Sequence, residues 1–232
     1  MSTRLEELRD EIESCRACPR LVAWRELVAD EKRASFAQWT YWGRPVAGFG
    51  DPDARIAVLG LAPAAHGANR TGRVFTGDRS GDFLYGSMYR CGLANQPTSV
   101  SIDDGLQLRD AFVTAAVRCA PPANKPTIDE RDTCAPFLTR ELALLPNLRV
   151  VVALGQFGYE AACRHFGIRP RPAFGHGVEA KTPDGAVTVV CSFHPSQQNT
   201  FTGKLTESMI DDVFVRARVL AGVTSDTPRG AR

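Results

Sequence analysis

The sequence lacks any long apolar run. The longest continuous ones, such as residues 150–155, are far shorter than the ~20 residues that a membrane-spanning helix needs, which excludes a membrane span. Residues 1–13 are heavily charged and do not resemble a secretory signal, so we expect a cytosolic protein. A large excess of charge is missing too, since the formal net charge is +2 and 44% of the residues are hydrophobic. This balance excludes a disordered chain and predicts one globular domain over residues 1–222.

Internal repeats, long linkers and the common nucleotide-binding fingerprints are also missing. No Gly-Lys-Ser/Thr closes the glycine-rich segment 60–85, so it is not a Walker A loop, and it does not match a dinucleotide fingerprint. The seven cysteines are an odd number without a secretory context, which argues against a disulfide framework. Only residues 223–232, rich in Thr, Ser, Pro, Gly and Arg, predict a disordered tail.

What the sequence does contain is an alternation of strands and helices. Nearly continuous apolar runs predict buried strands at 55–60, 111–117, 149–155 and 187–193. Helical spacing of apolar residues predicts helices at 3–14, 21–33, 81–92, 129–145, 158–166 and 206–220. This order predicts an α/β protein with a parallel sheet covered by helices on both faces.

A polar or small-residue segment follows each predicted strand. These segments contain His66, Asn124, Gln156 and His194. Because ligands bind outside the carboxyl ends of the strands in open α/β sheets, we expect these side chains to converge on one crevice. The alternative is that each segment is only a turn that connects a strand to a helix.

The glycine-rich segment 60–85 predicts a long functional loop, whose glycines allow backbone to approach a flat ligand or a phosphate closely. Arg70 and Arg73 are candidates to contact phosphates, and Phe75 is a candidate to stack on a base. Asp78 is a candidate for carboxylate chemistry. It also has a structural interpretation as the N-cap of the following helix.

Four cysteines fall into two pairs. Cys15 and Cys18 form a C-x2-C motif, and Cys119 and Cys134, with 14 residues between them, bracket a proline-rich loop. Four thiolates suit a zinc ion and an iron–sulfur cluster equally well. The other three cysteines lie in apolar contexts and are predicted to be packing residues: Cys91, Cys163 and Cys191.

Together these motifs resemble the uracil-DNA glycosylase superfamily, and within it the fifth, B-type family. Besides the first cysteine pair, the resemblance is carried by GLAPAAHG at 60–67, GRVFTGD at 72–78, RCAPPANKP at 118–126 and HPSQQNTFTGKLT at 194–206. It implies an α/β/α sandwich around a central four-stranded parallel sheet, in agreement with the strand pattern. It also implies an iron–sulfur (4Fe-4S) cluster, with a structural role, on Cys15, Cys18, Cys119 and Cys134.

Two positions distinguish this chain from the related fourth family. In the fourth family, an acidic residue directly follows the glycine of the first motif, where this chain has Leu61. That family also carries an Asn four residues before the third cluster cysteine, where this chain has Ala115. The resemblance therefore places the catalytic carboxylate in the TGD motif, at Asp78. Losing the Asn removes a group that rejects other bases, so the resemblance implies that hypoxanthine and ethenocytosine are accepted beside uracil.

The resemblance implies a monofunctional DNA-repair glycosylase that flips a base out of the duplex and hydrolyses its N-glycosidic bond. Phe75 would stack on the base, and His194 would donate a hydrogen bond to its carbonyl oxygen. Asp78 would orient the attacking water or stabilise the sugar cation, and Asn124 would contact the water or the base. Other candidates for base or DNA contact are Gly60, Ala62, Ala64, Arg73 and Ser196. His194 has an alternative interpretation as a buried structural histidine.

Residues 196–206 are predicted to enter the minor groove of DNA. Lys204 would hold a phosphate, and Phe201 or Leu205 would act as a wedge in the gap left by the flipped base. The alternative is that Phe201 packs back on the core. We expect a monomer whose partner is DNA that contains uracil or another deaminated base.

Two other functions remain open at the level of sequence. One is a non-catalytic, metal-stapled module that binds nucleic acid. The other is a covalent binder of uracil-DNA, although the GANRTGR stretch lacks the basic insertion of the cross-linking relatives.

Overall fold

One sheet organises the fold in the computed structural model, which describes residues 3–223. Its strands are β1 (Phe49–Gly50), β2 (Ile56–Gly60), β3 (Ala111–Ala115), β4 (Val150–Leu154), β5 (Glu179–Lys181) and β6 (Thr188–Ser192). The helices are α1 (Thr3–Ser14), α2 (Pro19–Glu31), α3 (Ala68–Thr71), α4 (Arg79–Arg90), α5 (Ile128–Ala143), α6 (Gly155–His165), α7 (Gln197–Phe201) and α8 (Glu207–Ala221). Short 3-10 turns occur at Ala34–Phe36 and Pro122–Asn124.

The four strands predicted from the sequence form the centre of this sheet. The strand order is β1-β3-β2-β4-β6-β5, and β3, β2, β4 and β6 pair in parallel. Every residue of these four strands is buried, as expected of strands covered on both faces. The two outer strands, β1 and β5, pair antiparallel and were not predicted. They have two and three residues, which is too short for a recognisable pattern.

Helices cover both faces, which confirms the three-layer α/β/α arrangement. Along β2, Ile56 and Val58 belong to the core shared with α4 and α8, whereas Ala57 and Leu59 belong to the core shared with α5 and α6. This alternation follows from the two-residue period of a strand. The aliphatic side chains of β2 are therefore divided between two cores.

Side-chain caps set the starts of several helices. Asp78, Thr127, Ser196 and Thr206 each accept a backbone N–H in the first turn of α4, α5, α7 and α8. Helix α6 begins directly at the end of β4, three residues before the predicted start at 158. The glycine-rich segment contains one short helix, α3, within the predicted loop.

Within residues 3–223, no helix combines the length and the apolarity that crossing a membrane requires. Residues 224–232 of the predicted tail lie outside the described residues. The single-domain boundary at residue 222 stays a prediction.

Candidate active site

A cleft of about 620 Å³ lies at the carboxyl ends of β2, β4 and β6. Segments that follow the central strands line it, as expected for an open α/β sheet. Of the predicted site residues, the cleft brings together Ala62, Ala64, Phe75, Asp78, Asn124, His194 and Ser196. Gln156 also lines it, next to Gly155 at the start of α6.

Asp78 lies at the first turn of α4 and also lines the cleft. Its Oδ1 accepts the backbone N–H of Gly81 at 3.0 Å. Burial raises the pKa of Asp78 above its ordinary value, and the backbone amides of Gly81 and Ser80 partly offset that effect. The structural and the catalytic interpretations of Asp78 are therefore compatible, because capping occupies one oxygen of a carboxylate that also lines the cleft.

Two glycines of the first motif make room for residues of the TGD motif. A Cβ atom at Gly67 would overlap Oδ2 of Asp78, and one at Gly60 would lie 2.8 Å from the ring of Phe75. The ring of Phe75 therefore packs directly against the backbone of Gly60. Gly60 itself is not among the residues that line the cleft. The two motifs form one unit, because side chains of one occupy space that the other leaves empty.

Phe75 and His194 both line the cleft, and their rings lie close together. Their ring centroids are 6.0 Å apart, with an angle of 39° between the ring planes. Phe75 has a φ of +52°, and Ala123 and Asn124, which also line the cleft, have φ values of +52° and +56°. Residues other than glycine rarely adopt such angles, which cost free energy and cluster at functional sites. The backbone is therefore strained at two places that line this cleft.

His194 is neutral at physiological pH. Burial lowers the pKa of its imidazole to about 4. Its backbone carbonyl accepts a hydrogen bond from Nδ2 of Asn199 at 2.8 Å, which fixes the turn after β6. A neutral imidazole donates through one nitrogen only, so His194 can supply one hydrogen bond to a ligand in the cleft.

Basic and aromatic side chains form the rim. Lys125 and Lys204 line the cleft, and Nζ of Lys204 lies 5.0 Å from the centre of the Phe193 ring. On α7, Phe201 is 64% exposed and lies under the guanidinium of Arg79, at 4.7 Å. Phe201 does not pack back on the core. Leu205 is 1% exposed and belongs to the core, so its prediction as a wedge is wrong.

Two arginines of the glycine-rich segment do not reach the cleft. The guanidinium of Arg73 is buried and bonded to Asp104 at 2.7 Å, so the structure contradicts its prediction as a phosphate contact. Arg70 is buried too, and it donates to the carbonyl oxygens of His66 and Gly77. Both side chains hold the loop together from inside.

His66 was predicted to converge on the crevice with the other polar residues, but it does not line the cleft. Its Nδ1 lies 3.1 Å from the hydroxyl of Tyr41. Sequence reasoning also missed three aromatic residues of the cleft wall: Phe157, Phe174 and Phe193. Phe157 directly follows Gln156, and Phe193 directly precedes His194. Their position next to predicted site residues was the one sequence signal that could have found them.

The four paired cysteines line a second, smaller cavity. Cys15, Cys18, Cys119 and Cys134 surround it together with apolar side chains, and all four are free thiols. Among the described residues, no group of three or more His, Cys, Asp or Glu side chains could hold a metal ion. The four sulfurs therefore share a cavity without forming a single-ion site.

Hydrogen-bond donors point at the sulfurs of this cavity. Nη1 of the buried Arg25 donates to Sγ of Cys119 at 2.9 Å, and its Nη2 donates to the carbonyl oxygen of Cys15. The backbone N–H of Arg118 donates to Sγ of Cys134 at 3.3 Å. Burial raises the pKa of Cys119 to about 11, and the guanidinium of Arg25 acts in the opposite direction, toward the thiolate.

Comparison with known proteins agrees with this geometry. The family model of the uracil DNA glycosylase superfamily matches residues 47–217. The type-5 uracil-DNA glycosylase of Mycobacterium tuberculosis is 54% identical over 220 residues, which are 94% of this chain and 82% of the relative. That of Thermus thermophilus is 53% identical over 211 residues, 90% of this chain and 95% of the relative.

Relatives of the neighbouring type are more distant. The type-4 uracil-DNA glycosylase of Thermotoga maritima is 30% identical over 154 residues, 65% of this chain and 69% of the relative. The chain belongs to the uracil DNA glycosylase superfamily and, within it, to the type-5 family.

Proposed function

We propose that this protein hydrolyses the N-glycosidic bond of uracil in DNA and leaves an abasic site. The observation that carries this proposal is the cleft in which Phe75, Asp78 and His194 lie together. The type-5 relatives carry the name of this activity. Because the bond is inaccessible inside a duplex, the base must first leave the stack, at a cost of a few kcal/mol that is lower at a U·G mismatch.

In the proposed complex, Phe75 stacks on the flipped base and His194 donates a hydrogen bond to a base carbonyl oxygen. Because His194 is neutral, it stabilises the developing negative charge as a dipole and transfers no proton. A donor placed in this way is typically worth about 2.7–4 kcal/mol in the transition state. Asn124, which also lines the cleft, is a second polar contact for the base or the water.

Asp78 acts on the sugar side of the reaction. As a carboxylate, it either orients the attacking water or stabilises the oxocarbenium-like sugar electrostatically. Its partial burial strengthens both interactions, because charges interact more strongly away from bulk water. The same burial raises its pKa, so we expect activity to fall on acidification as Asp78 takes up a proton.

We propose that the base pocket is less selective than that of type-4 relatives and also accepts hypoxanthine and ethenocytosine. Ala115 is buried at the end of β3, in register with Gly60 beneath Phe75. A site rejects a wrong base when that base leaves one of the site's polar atoms without a hydrogen bond. The methyl group of Ala115 has no polar atom, so this position imposes no such penalty on bases other than uracil.

The rim of the cleft is proposed to bind the DNA backbone. Lys125 and Lys204 would contact phosphates, and the exposed Phe201 would fill the gap left by the flipped base. Ser196 caps α7, so its role is to shape the loop that presents these residues. That the protein works as a monomer in the cytosol stays a prediction.

We further propose that Cys15, Cys18, Cys119 and Cys134 hold a 4Fe-4S cluster. The shared cavity and the hydrogen-bond donors to sulfur support a group bound by thiolates, and the resemblance to the B-type family favours a cluster over zinc. When bound, such a cluster would supply covalent cross-links, since hydrolysis of a glycosidic bond requires no electrons. The cysteines themselves connect the α1–α2 junction to the segment after β3 and to α5.

The test is incubation of the protein with duplex DNA that carries one U·G pair, followed by alkali, which breaks abasic strands. We expect breaks with the wild type and at least a ~100-fold lower rate with Asp78→Asn, in which the amide still caps α4. The matched control is Asp82→Asn, an exposed carboxylate in the first turn of the same helix, which should keep wild-type activity.

Each failure favours a different alternative. Binding of DNA without breaks at uracil, hypoxanthine or ethenocytosine would leave the metal-stapled binding module. A DNA band shifted on a denaturing gel would instead indicate a covalent binder. Breaks that persist with Asp78→Asn would keep the enzyme and move the catalytic role to His194, Asn124 or the backbone.

A further inference from the structure

One imidazole contacts both ends of the segment that carries His194 and α7. The backbone N–H of Phe193, at the start of this segment, donates to Nδ1 of His176 at 3.3 Å. Nε2 of the same ring lies 3.2 Å from the carbonyl oxygen of Met209, in the first turn of α8. The ring also packs on Phe193, with 5.2 Å between the ring centroids.

We propose that His176 is a positioning residue that fastens the two ends of residues 193–209 and so fixes His194 and the DNA-binding loop. His176 lies outside this segment, on the connection between α6 and β5 and 17 residues before Phe193. The proposal rests on the proposed role of His194 and of the loop.

Both hydrogen bonds require one state of the ring. Nδ1 must accept from Phe193 and Nε2 must donate to Met209, which only a neutral imidazole protonated at Nε2 can do. A protonated ring would direct an N–H at the N–H of Phe193. Uptake of a proton would therefore release the end of the segment that leads directly into His194.

The surroundings of His176 keep its ring neutral. Burial holds the pKa of His176 below the usual histidine value, while the hydrogen bond to Met209 and the negative charge of Asp212 act in the opposite direction. The segment itself carries a cation, Lys204, whose Nζ lies 5.0 Å from the centre of the Phe193 ring.

Contacts inside the segment do not replace this fastening. The side-chain amide of Asn199 donates to the carbonyl oxygen of His194, and the N–H of Leu205 donates to the carbonyl oxygen of Asn199. These bonds shape the loop but move with it. His176 holds the ends against a different part of the chain, and a displacement of about 1 Å at a reacting group can cost about 100-fold in rate.

The experiment compares His176→Ala with His176→Gln in single-turnover excision of uracil. A glutamine can accept with its oxygen and donate with its nitrogen, so we expect it to keep the rate within about threefold while alanine loses at least about tenfold, mainly in kcat. In the wild type, protonation of His176 should lower the excision rate at acidic pH. The glutamine variant should lack this part of the pH dependence, because its side chain does not titrate. His165→Gln, a histidine whose Nδ1 lies near Thr139, is the control that should retain activity.

Amide hydrogen exchange separates a local effect from loss of folding and does not depend on activity. We expect faster exchange within residues 193–209 of His176→Ala, with unchanged exchange in β2 and β4. Equal rates and exchange in all variants, or faster exchange across the whole sheet, would overturn the proposal. A wild type that excises nothing would contradict the proposed function, and the exchange data would still decide whether His176 fastens the segment.

Discussion

The cleft and the cysteine cavity are built in contrasting ways. In the cleft, Phe75 and Asn124 have strained backbone angles, and Asp78 and His194 have pKa values shifted by burial. In the cysteine cavity, the sulfurs follow or lie within regular elements, and the donors to them come from arginines. Burial acts in both places, since it also raises the pKa of Cys18, Cys119 and Cys134. The two sites differ in backbone strain, which occurs at residues that line the cleft and at none of those that line the cysteine cavity.

The largest expected effect tests the catalytic half of this comparison. His194→Leu replaces the neutral imidazole donor with an apolar side chain of similar size, and we expect the excision rate to fall about 100- to 1000-fold. The midpoint of thermal unfolding should change little, because the buried ring makes no ion pair that folding depends on. Single-turnover kinetics and a melting curve measure the two quantities. A large drop in melting temperature with an unchanged rate would make His194 a structural histidine.

Gly67→Ala tests whether close packing between the two motifs matters to the reaction. The added methyl group would overlap Oδ2 of Asp78 and displace the carboxylate, so we expect a loss of about 10- to 100-fold in rate. The control is Gly86→Ala within α4, whose added Cβ would lie at ordinary contact distance from Nη1 of Arg90, 3.5 Å, and from the carbonyl oxygen of Pro97, 4.0 Å. Equal activity of both variants would show that the position of Asp78 is not critical.

Arg25→Leu tests the cysteine half. Loss of the buried donor to Cys119 should lower iron content and destabilise the fold by about 2–3 kcal/mol, because hydrogen bonds of charged groups are worth about that much. Excision per iron-loaded molecule should stay near the wild-type value. Iron analysis, visible absorption and denaturant unfolding measure these effects, with Arg25→Lys as the variant that keeps the charge. Unchanged iron content and stability would refute the role of Arg25.

The smallest expected effect concerns the rim. Lys204→Ala should weaken binding of duplex DNA and reduce the slope of log affinity against log salt by about one, as expected for one lost phosphate contact. The maximal rate should be unchanged, since Lys204 lies at the edge of the cleft. Binding titrations at several salt concentrations test this. A change in kcat with an unchanged salt slope would place Lys204 in the reaction.

Much of the fold follows from local patterns. The four central strands are readable because each is a run of β-prone apolar residues buried on both faces. β1 and β5 are not readable, because they are short and exist through pairing with β3 and β6. The start of α6 was predicted late, since Gly155 and Gln156 suggested a polar connection and the structure places them in the first turn.

The site divides in a similar way. The motifs located Phe75, Asp78 and His194, which lie together in the cleft. They did not separate a cleft-facing residue from its neighbour, and Arg73 was misplaced. Its partner Asp104 is 31 residues away, and no local pattern connects the two.

The sequence by itself determined the alternation of strands and helices, the cysteine pairs and the family resemblance, because these depend on residue types at fixed spacing. Only the tertiary structure decided which polar side chains are buried in contacts with other residues, as Arg73 is with Asp104. It also decided which of them line the cleft, as Asp78 does. It also brought one imidazole to both ends of the segment that carries His194. The physical reason is that burial and hydrogen-bond partners arise from contacts between residues far apart in the chain.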